Sequence, residues 1–148
     1  MKYLIQTMGM VYLLLVTFTA SAQEPNQILQ LTLKSDKQTF SIDENVNLKL
    51  TINNLSSQEI RLFEGGHFRT IVILDGKDYK NTGAIAWGGP GSVSPKGEIG
   101  IGIGLGAYGI TKDILAAGKH QIAVKFNGAI SNAITIQIDV PKRSIEKQ

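Results

Sequence analysis

Two alternating runs near the end of the chain constrain the fold more than any other feature. Residues 117–126 and 129–140 flank Asn127-Gly128. In the first run His120, Ile122, Val124 and Phe126 fall on one side; in the second Ile134, Ile136, Ile138 and Val140 do. A period of two gives each strand one dry and one wet face, and Asn-Gly supplies the positive φ of a tight hairpin. The pair is expected to form the closing hairpin of a β-sandwich, with His120 inward and hydrogen-bonded, because buried polar groups are normally paired.

The start of the chain has a different character. Lys2 precedes an uncharged stretch with an apolar centre at residues 8–18, and Ala20-Ser21-Ala22 follows. A charged start, an apolar middle and an A-x-A end form a secretory signal peptide over residues 1–22. Its apolar centre falls well short of the roughly 20 residues that span a bilayer. Residues 23–27 then read as a polar lead-in, 28–140 as a single domain and 141–148 as a polar tail. The expected location is periplasmic or extracellular, with no stable membrane insertion after cleavage. No cysteine is present, so neither a disulfide framework nor a lipidated cysteine applies. Fifteen basic against 12 acidic residues, scattered except for Lys142, Arg143 and Lys147 in a tail read as solvated, give no footprint for nucleic acid.

Between these ends lie short alternating runs. Leu29, Leu31 and Leu33 mark a first strand; Phe40 and Ile42 an edge piece; Val46, Leu48, Leu50 and Ile52 the cleanest half-buried strand. Residues 60–63 read as a short strand, 70–74 as a buried one, and Asp75-Gly76 as a hairpin turn into 77–80. Residues 84–87 read as a further short strand, 88–97 as a glycine- and proline-rich loop, and 98–105 as a strand. A helical turn is expected near 112–115. Nowhere does a 3.6-residue apolar period persist. Seven to nine short strands with frequent turn signals predict an all-β, immunoglobulin-like sandwich of two antiparallel sheets.

The stretch Leu50-Thr-Ile-Asn-Asn-Leu-Ser-Ser57 and the run from Ala117-Gly-Lys-His-Gln-Ile resemble the second strand and closing pair of bacterial exported immunoglobulin-like domains. Such domains usually carry tyrosine where this chain has His120. Residues 50–97 also resemble BsuPI-type proteinase inhibitors, through the Asn-x-Ser loop, Glu-Gly-Gly-His-Phe, Ile-Leu-Asp-Gly-Lys and the glycine-rich loop. The tryptophan those inhibitors carry after Asp-Gly-Lys is absent. The first resemblance implies an exported accessory domain; the second implies inhibition through the 88–97 loop. The motifs of chagasin-like inhibitors do not occur.

Chemistry-bearing motifs are sparse. Gly104-x-Gly106-x-x-Gly109 matches a dinucleotide fingerprint in letters, but that chemistry needs a strand–glycine–helix unit. Here Gly100, Gly102, Gly104 and Gly106 alternate with Ile99, Ile101, Ile103 and Leu105, predicting a strand with a core face and a bare face able to take a partner or another segment of the chain. Glu64-x-x-His67 lacks the third ligand a zinc site requires. Neither a cofactor nor a metal nor a catalytic set is therefore expected. The expected function is non-catalytic binding of a protein through loops or a free strand edge, with exported proteinase inhibition through the 88–97 loop as the alternative. The candidate contacts are Trp87, Pro90, Ser92, Pro95 and Lys96 in that loop, grouped with residues 53–58 and 127–128 at one end of the sandwich, and His67, Phe68 and Arg69 as a second patch.

Overall fold

A computed structural model describes residues 28–83 and 89–140. The strand expected at residues 84–87, the signal peptide, the lead-in and the tail lie outside the described residues. Three strands form one sheet in the order β1 (Leu29–Ser35), β3 (Asn47–Asn54), β10 (Glu98–Gly104). The facing sheet runs β2 (Thr39–Ser41), β13 (Ile134–Asp139), β11 (Gly118–Phe126), β7 (Thr70–Leu74), β8 (Lys77–Lys80). The result is an all-β, immunoglobulin-like sandwich. Five two-residue strands decorate it: β4 (Ile60–Arg61), β5 (Phe63–Glu64), β6 (His67–Phe68), β9 (Ser92–Val93) and β12 (Ala129–Ile130).

Alternation explains the core. Leu29, Leu31 and Leu33 of β1, Leu48, Leu50 and Ile52 of β3, and Ile101 and Ile103 of β10 meet Val72 and Leu74, Ile122 and Val124, and Ile136 and Ile138 in one cluster. Two-strand hairpins are marginal alone; burial between two sheets, at roughly 25 cal/mol per Å² of apolar surface, stabilises them. Both expected hairpin turns are present with paired positive φ, 48° and 82° at Asp75-Gly76 and 48° and 86° at Asn127-Gly128.

Three local expectations are corrected. Val140 lies past the end of β13 and is 59 % exposed, because no neighbouring strand extends to cover it. The strand expected at 60–63 breaks in two: β4 pairs with β9, whereas β5 pairs with β6. The 88–97 loop therefore contains a strand, since Ser92 pairs with Arg61 and Val93 with Ile60. The helical turn expected near 112–115 is present, closed by Leu115 N–H onto the Thr111 carbonyl at 2.9 Å, and a 3₁₀ turn at Leu105–Tyr108 precedes it.

One pairing is parallel. β2 runs beside β13 with Phe40 opposite Ile138, and the Gln137 N–H reaches the Gln38 carbonyl at 2.7 Å. The chain thus leaves one sheet after β1 and joins the other within four residues. The outer edge of β1 is closed by a side chain: the Asn132 amide accepts from Leu33 N–H at 2.8 Å and donates to the Leu33 carbonyl at 3.0 Å. That amide reproduces one rung of a strand and ties the sheets together, an edge-protecting device. Among the described residues no helix is long and apolar enough to cross a membrane.

Candidate functional site

The loops expected to gather at one end do so, and Asn54 gathers them. It ends β3 with its side chain inaccessible to solvent. Its amide donates to the carbonyls of Gln58 (2.7 Å), Ser94 (3.0 Å) and Val93 (3.2 Å), while its oxygen accepts from the Ser56 N–H (3.0 Å) and hydroxyl (2.7 Å). A short amide such as asparagine can donate and accept at once without charge. The Lys96 N–H also reaches the Ser56 carbonyl at 3.2 Å, and its ammonium reaches the Leu55 carbonyl. Residues 54–58 and 91–97 are thereby one rigid platform.

Sequence-expected contacts fall unevenly on this platform. Pro90, Pro95 and Lys96 are exposed, with Lys96 held at φ 57°. Ser92 is half-buried within β9. Trp87 lies outside the described residues. In the second patch His67 is exposed opposite Glu64, and Arg69 is exposed with its guanidinium 3.5 Å from the Glu64 carboxylate and donating to Asn127 Oδ1 at 3.2 Å. Phe68 is corrected from contact residue to core: it is 7 % exposed and stacks on Phe63 with centroids 4.4 Å apart. The β5–β6 pairing points alternate residues inward, which a three-residue motif cannot reveal.

Arg69 links the patch to the platform. A depression of about 470 Å³ lies between Arg69, Arg61, Asn127, Ile28 and residues 56–60, and one of about 370 Å³ lies between Arg61, Arg69, Phe63 and Glu64. Both guanidiniums border both depressions. Arg61, which the sequence reading passed over, is the missed member: the only signal was a basic residue on the wet side of a two-residue strand. Planar guanidiniums recognise carboxylates through paired N–H donors.

The opposite end is held differently. His120 is buried at the start of β11; its Nδ1 lies 2.7 Å from Asp75 Oδ2 and its Nε2 lies 2.7 Å from the Ala116 carbonyl. Both partners are acceptors, so both bonds form only when the ring carries two protons. Burial works against that charge, but the Ala116 carbonyl and the Asp75 carboxylate outweigh it and hold the His120 pKa above its ordinary value. Partial burial of Asp75 is likewise outweighed, by His120 and the Gln121 N–H, and its carboxyl is held below the usual range. In immunoglobulin domains a tyrosine at this corner bonds back to the backbone a few residues upstream; here the His120 ring does so.

The glycine fingerprint makes no phosphate cradle, because Gly104 ends β10 and Gly109 follows a four-residue 3₁₀ turn. Nor is the glycine face of β10 wholly bare. A Cβ at Gly100 would lie 3.3 Å from the Lys49 side chain, and one at Gly104 3.2 Å from Asn47 Oδ1. Among the described residues no three His, Cys, Asp or Glu side chains gather as a metal site would require.

No family model matches this chain, and no curated protein is significantly similar to it. The BsuPI resemblance therefore rests on its short motifs alone. Solved structures of similar shape include the CARDB domain of the PF1109 protein from Pyrococcus furiosus, described in complex with di-metal ions. It is 14 % identical, with 76 % of this chain and 94 % of that one covered and a TM-score of 0.49. A β-glucosidase from Listeria innocua in complex with laminaribiose is 13 % identical over 75 % of this chain but only 16 % of its own, with a TM-score of 0.46. The sandwich described above stands on its own strand pairings, not on these likenesses.

Proposed function

We propose that this chain is an exported, non-catalytic accessory domain that binds a protein partner through the Asn54-braced end of the sandwich. The reading of export rests on the N-terminal charge and hydropathy pattern. The reading of binding rests on one observation: two guanidiniums, Arg61 and Arg69, border two adjoining depressions beside a loop platform that a buried amide holds rigid. A preorganised surface loses little entropy on association. Arginines of this kind suit carboxylates on the partner, with Pro95 and Lys96 as flanking contacts.

The test is capture from an envelope extract by residues 23–148, in parallel with the Arg61→Glu/Arg69→Glu double variant. A partner retained by the wild type and lost at least tenfold by the variant, with melting temperature unchanged, supports the reading. Equal retention by both proteins overturns it. Inhibition of a protease panel that disappears on replacing residues 89–97 by a short linker would move the assignment to an inhibitor.

A further inference from the structure

The two hairpin turns share a backbone and differ in one functional group. Asp75-Gly76 holds φ 48° and 82°, and Asn127-Gly128 holds 48° and 86°. Asn127 is the only asparagine of the chain that precedes glycine. Glycine carries no Cβ, so its backbone nitrogen is open to the side chain before it. Asn127 and Gly128 are both exposed, and the Gly128 N–H donates no hydrogen bond among the described residues. That nitrogen is free to attack the amide carbon of Asn127.

The amide is polarised for such an attack. Arg69 donates from Nη2 to Asn127 Oδ1 at 3.2 Å, while its Nε faces the Glu64 carboxylate at 3.5 Å. Attack at Cγ puts negative charge on Oδ1, the atom this guanidinium already touches. Donors aimed at an oxygen where charge develops lower the barrier. The other turn is protected. Asp75 Oδ2 lies 2.7 Å from His120 Nδ1, and its Oδ1 accepts from the Gln121 N–H at 2.8 Å. At neutral pH it is an ionised carboxylate, which resists a nucleophile.

We propose that Asn127-Gly128 is a self-modification site, where the Gly128 nitrogen displaces the Asn127 amide nitrogen with Arg69 as the stabilising donor, and where the product closes the arginine-bordered end to a partner. The bond from Gly128 N to Asn127 Cγ forms, and the N–H proton passes to solvent hydroxide. The Cγ–Nδ2 bond breaks, and Nδ2 takes a proton from water and leaves as ammonia. Water then opens the cyclic imide at either carbonyl, giving aspartate or isoaspartate. The net change is amide plus water to acid plus ammonia, with no oxidant or cofactor. The new carboxylate faces Arg69 in place of a neutral oxygen, and so occupies a cation that carboxylates of the partner need. This last consequence rests on the binding reading proposed above; the bond chemistry does not.

The test incubates the purified protein at neutral and at mildly alkaline pH. Peptide mass mapping follows the exchange of amide for acid, and isoaspartate methylation locates the rearranged product. Conversion is expected at Asn127 before any other asparagine, faster at the alkaline pH, with Asp75 unlabelled. Arg69→Ala should slow it about threefold to tenfold, less than the roughly 10²–10³-fold of an enclosed oxyanion donor, because water and salt screen an exposed guanidinium. Should that variant fail to fold, Arg69→Gln serves the same purpose. Absence of conversion at Asn127, or an undiminished rate in the folded Arg69 variant, overturns the modification site. Asn127→Asp, which carries the product charge from the start, should lower retention of a partner from envelope extract about threefold to fivefold, as one exposed ion pair allows, with melting temperature unchanged. Full retention by Asn127→Asp, where the arginine double variant loses the partner, overturns the closing of the site alone. Full retention by both variants overturns the binding reading, and with it the closing.

Discussion

The two ends of the sandwich solve one problem with different chemistry. Each must tie a long crossover to the end of a sheet. At the Asn54 end a neutral amide makes five hydrogen bonds and does not titrate. At the His120 end two short bonds depend on a proton that the ring can lose. A neutral brace gives a surface whose shape is insensitive to pH. A charged brace gives a corner that is firm in mild acid and looser in alkali.

The largest effect should come from breaking the neutral brace. Asn54→Leu removes a donor from the carbonyls of Gln58, Val93 and Ser94, of which Gln58 keeps the Ser56 hydroxyl and Ser94 the Gly97 N–H, at about 1–3 kcal/mol for a group left buried without a partner. We expect a loss of about 3 kcal/mol in denaturant unfolding, together with loss of partner capture. A loss below about 1 kcal/mol would show that water replaces the amide and that the platform is not rigid.

Next comes the edge of β1. Asn132→Ala removes both bonds to Leu33 and should cost about 1.5 kcal/mol. It should also promote self-association, read by light scattering, because an uncovered edge templates pairing. A strictly monomeric, equally stable variant would show that the amide does not guard the edge.

The charged brace should be worth less, about 1 kcal/mol, because Asp75 is half exposed and its pairing is screened. The direction follows from the shifts. His120 is raised above its ordinary 6.5, so its contribution is complete below that pH and is lost as pH climbs through the raised value. Asp75 is lowered below its ordinary 3.8, so its contribution is present above that pH and is lost as pH falls through the lowered value. Stability should therefore be fullest between about pH 4 and 6.5 and decline on the alkaline side. His120→Gln should flatten that alkaline decline in melting curves; an unchanged decline would assign it to another group. Smallest of all, Arg61→Ala should change stability by less than about 0.5 kcal/mol, as expected for an exposed arginine without a resolved ion pair. A larger loss would make Arg61 structural and weaken the proposed binding surface.

How much of this was legible beforehand depends on range. Val46 to Ile52, Ile99 to Ile103 and His120 to Phe126 announced their strands because period two is a local signal. Asp75-Gly76 and Asn127-Gly128 announced their turns because positive φ selects their residues. The gathering of 53–58, 91–97 and 127 at one end followed from strand order. Phe68 was misplaced and Arg61 overlooked because two-residue strands have no period to read. Asn54 and Asn132 looked like ordinary loop asparagines, since their partners lie up to 40 and 99 residues away.

By itself, the sequence determined which residues alternate, which turns close hairpins, and that the chain must bury its aliphatic faces between sheets. These follow from side-chain chemistry acting over a few residues. Only the tertiary structure decided that β2 crosses to the other sheet, that one amide braces an entire end, and that His120 finds two acceptors. Those outcomes depend on groups distant in the chain arriving within hydrogen-bonding distance, which no local pattern specifies.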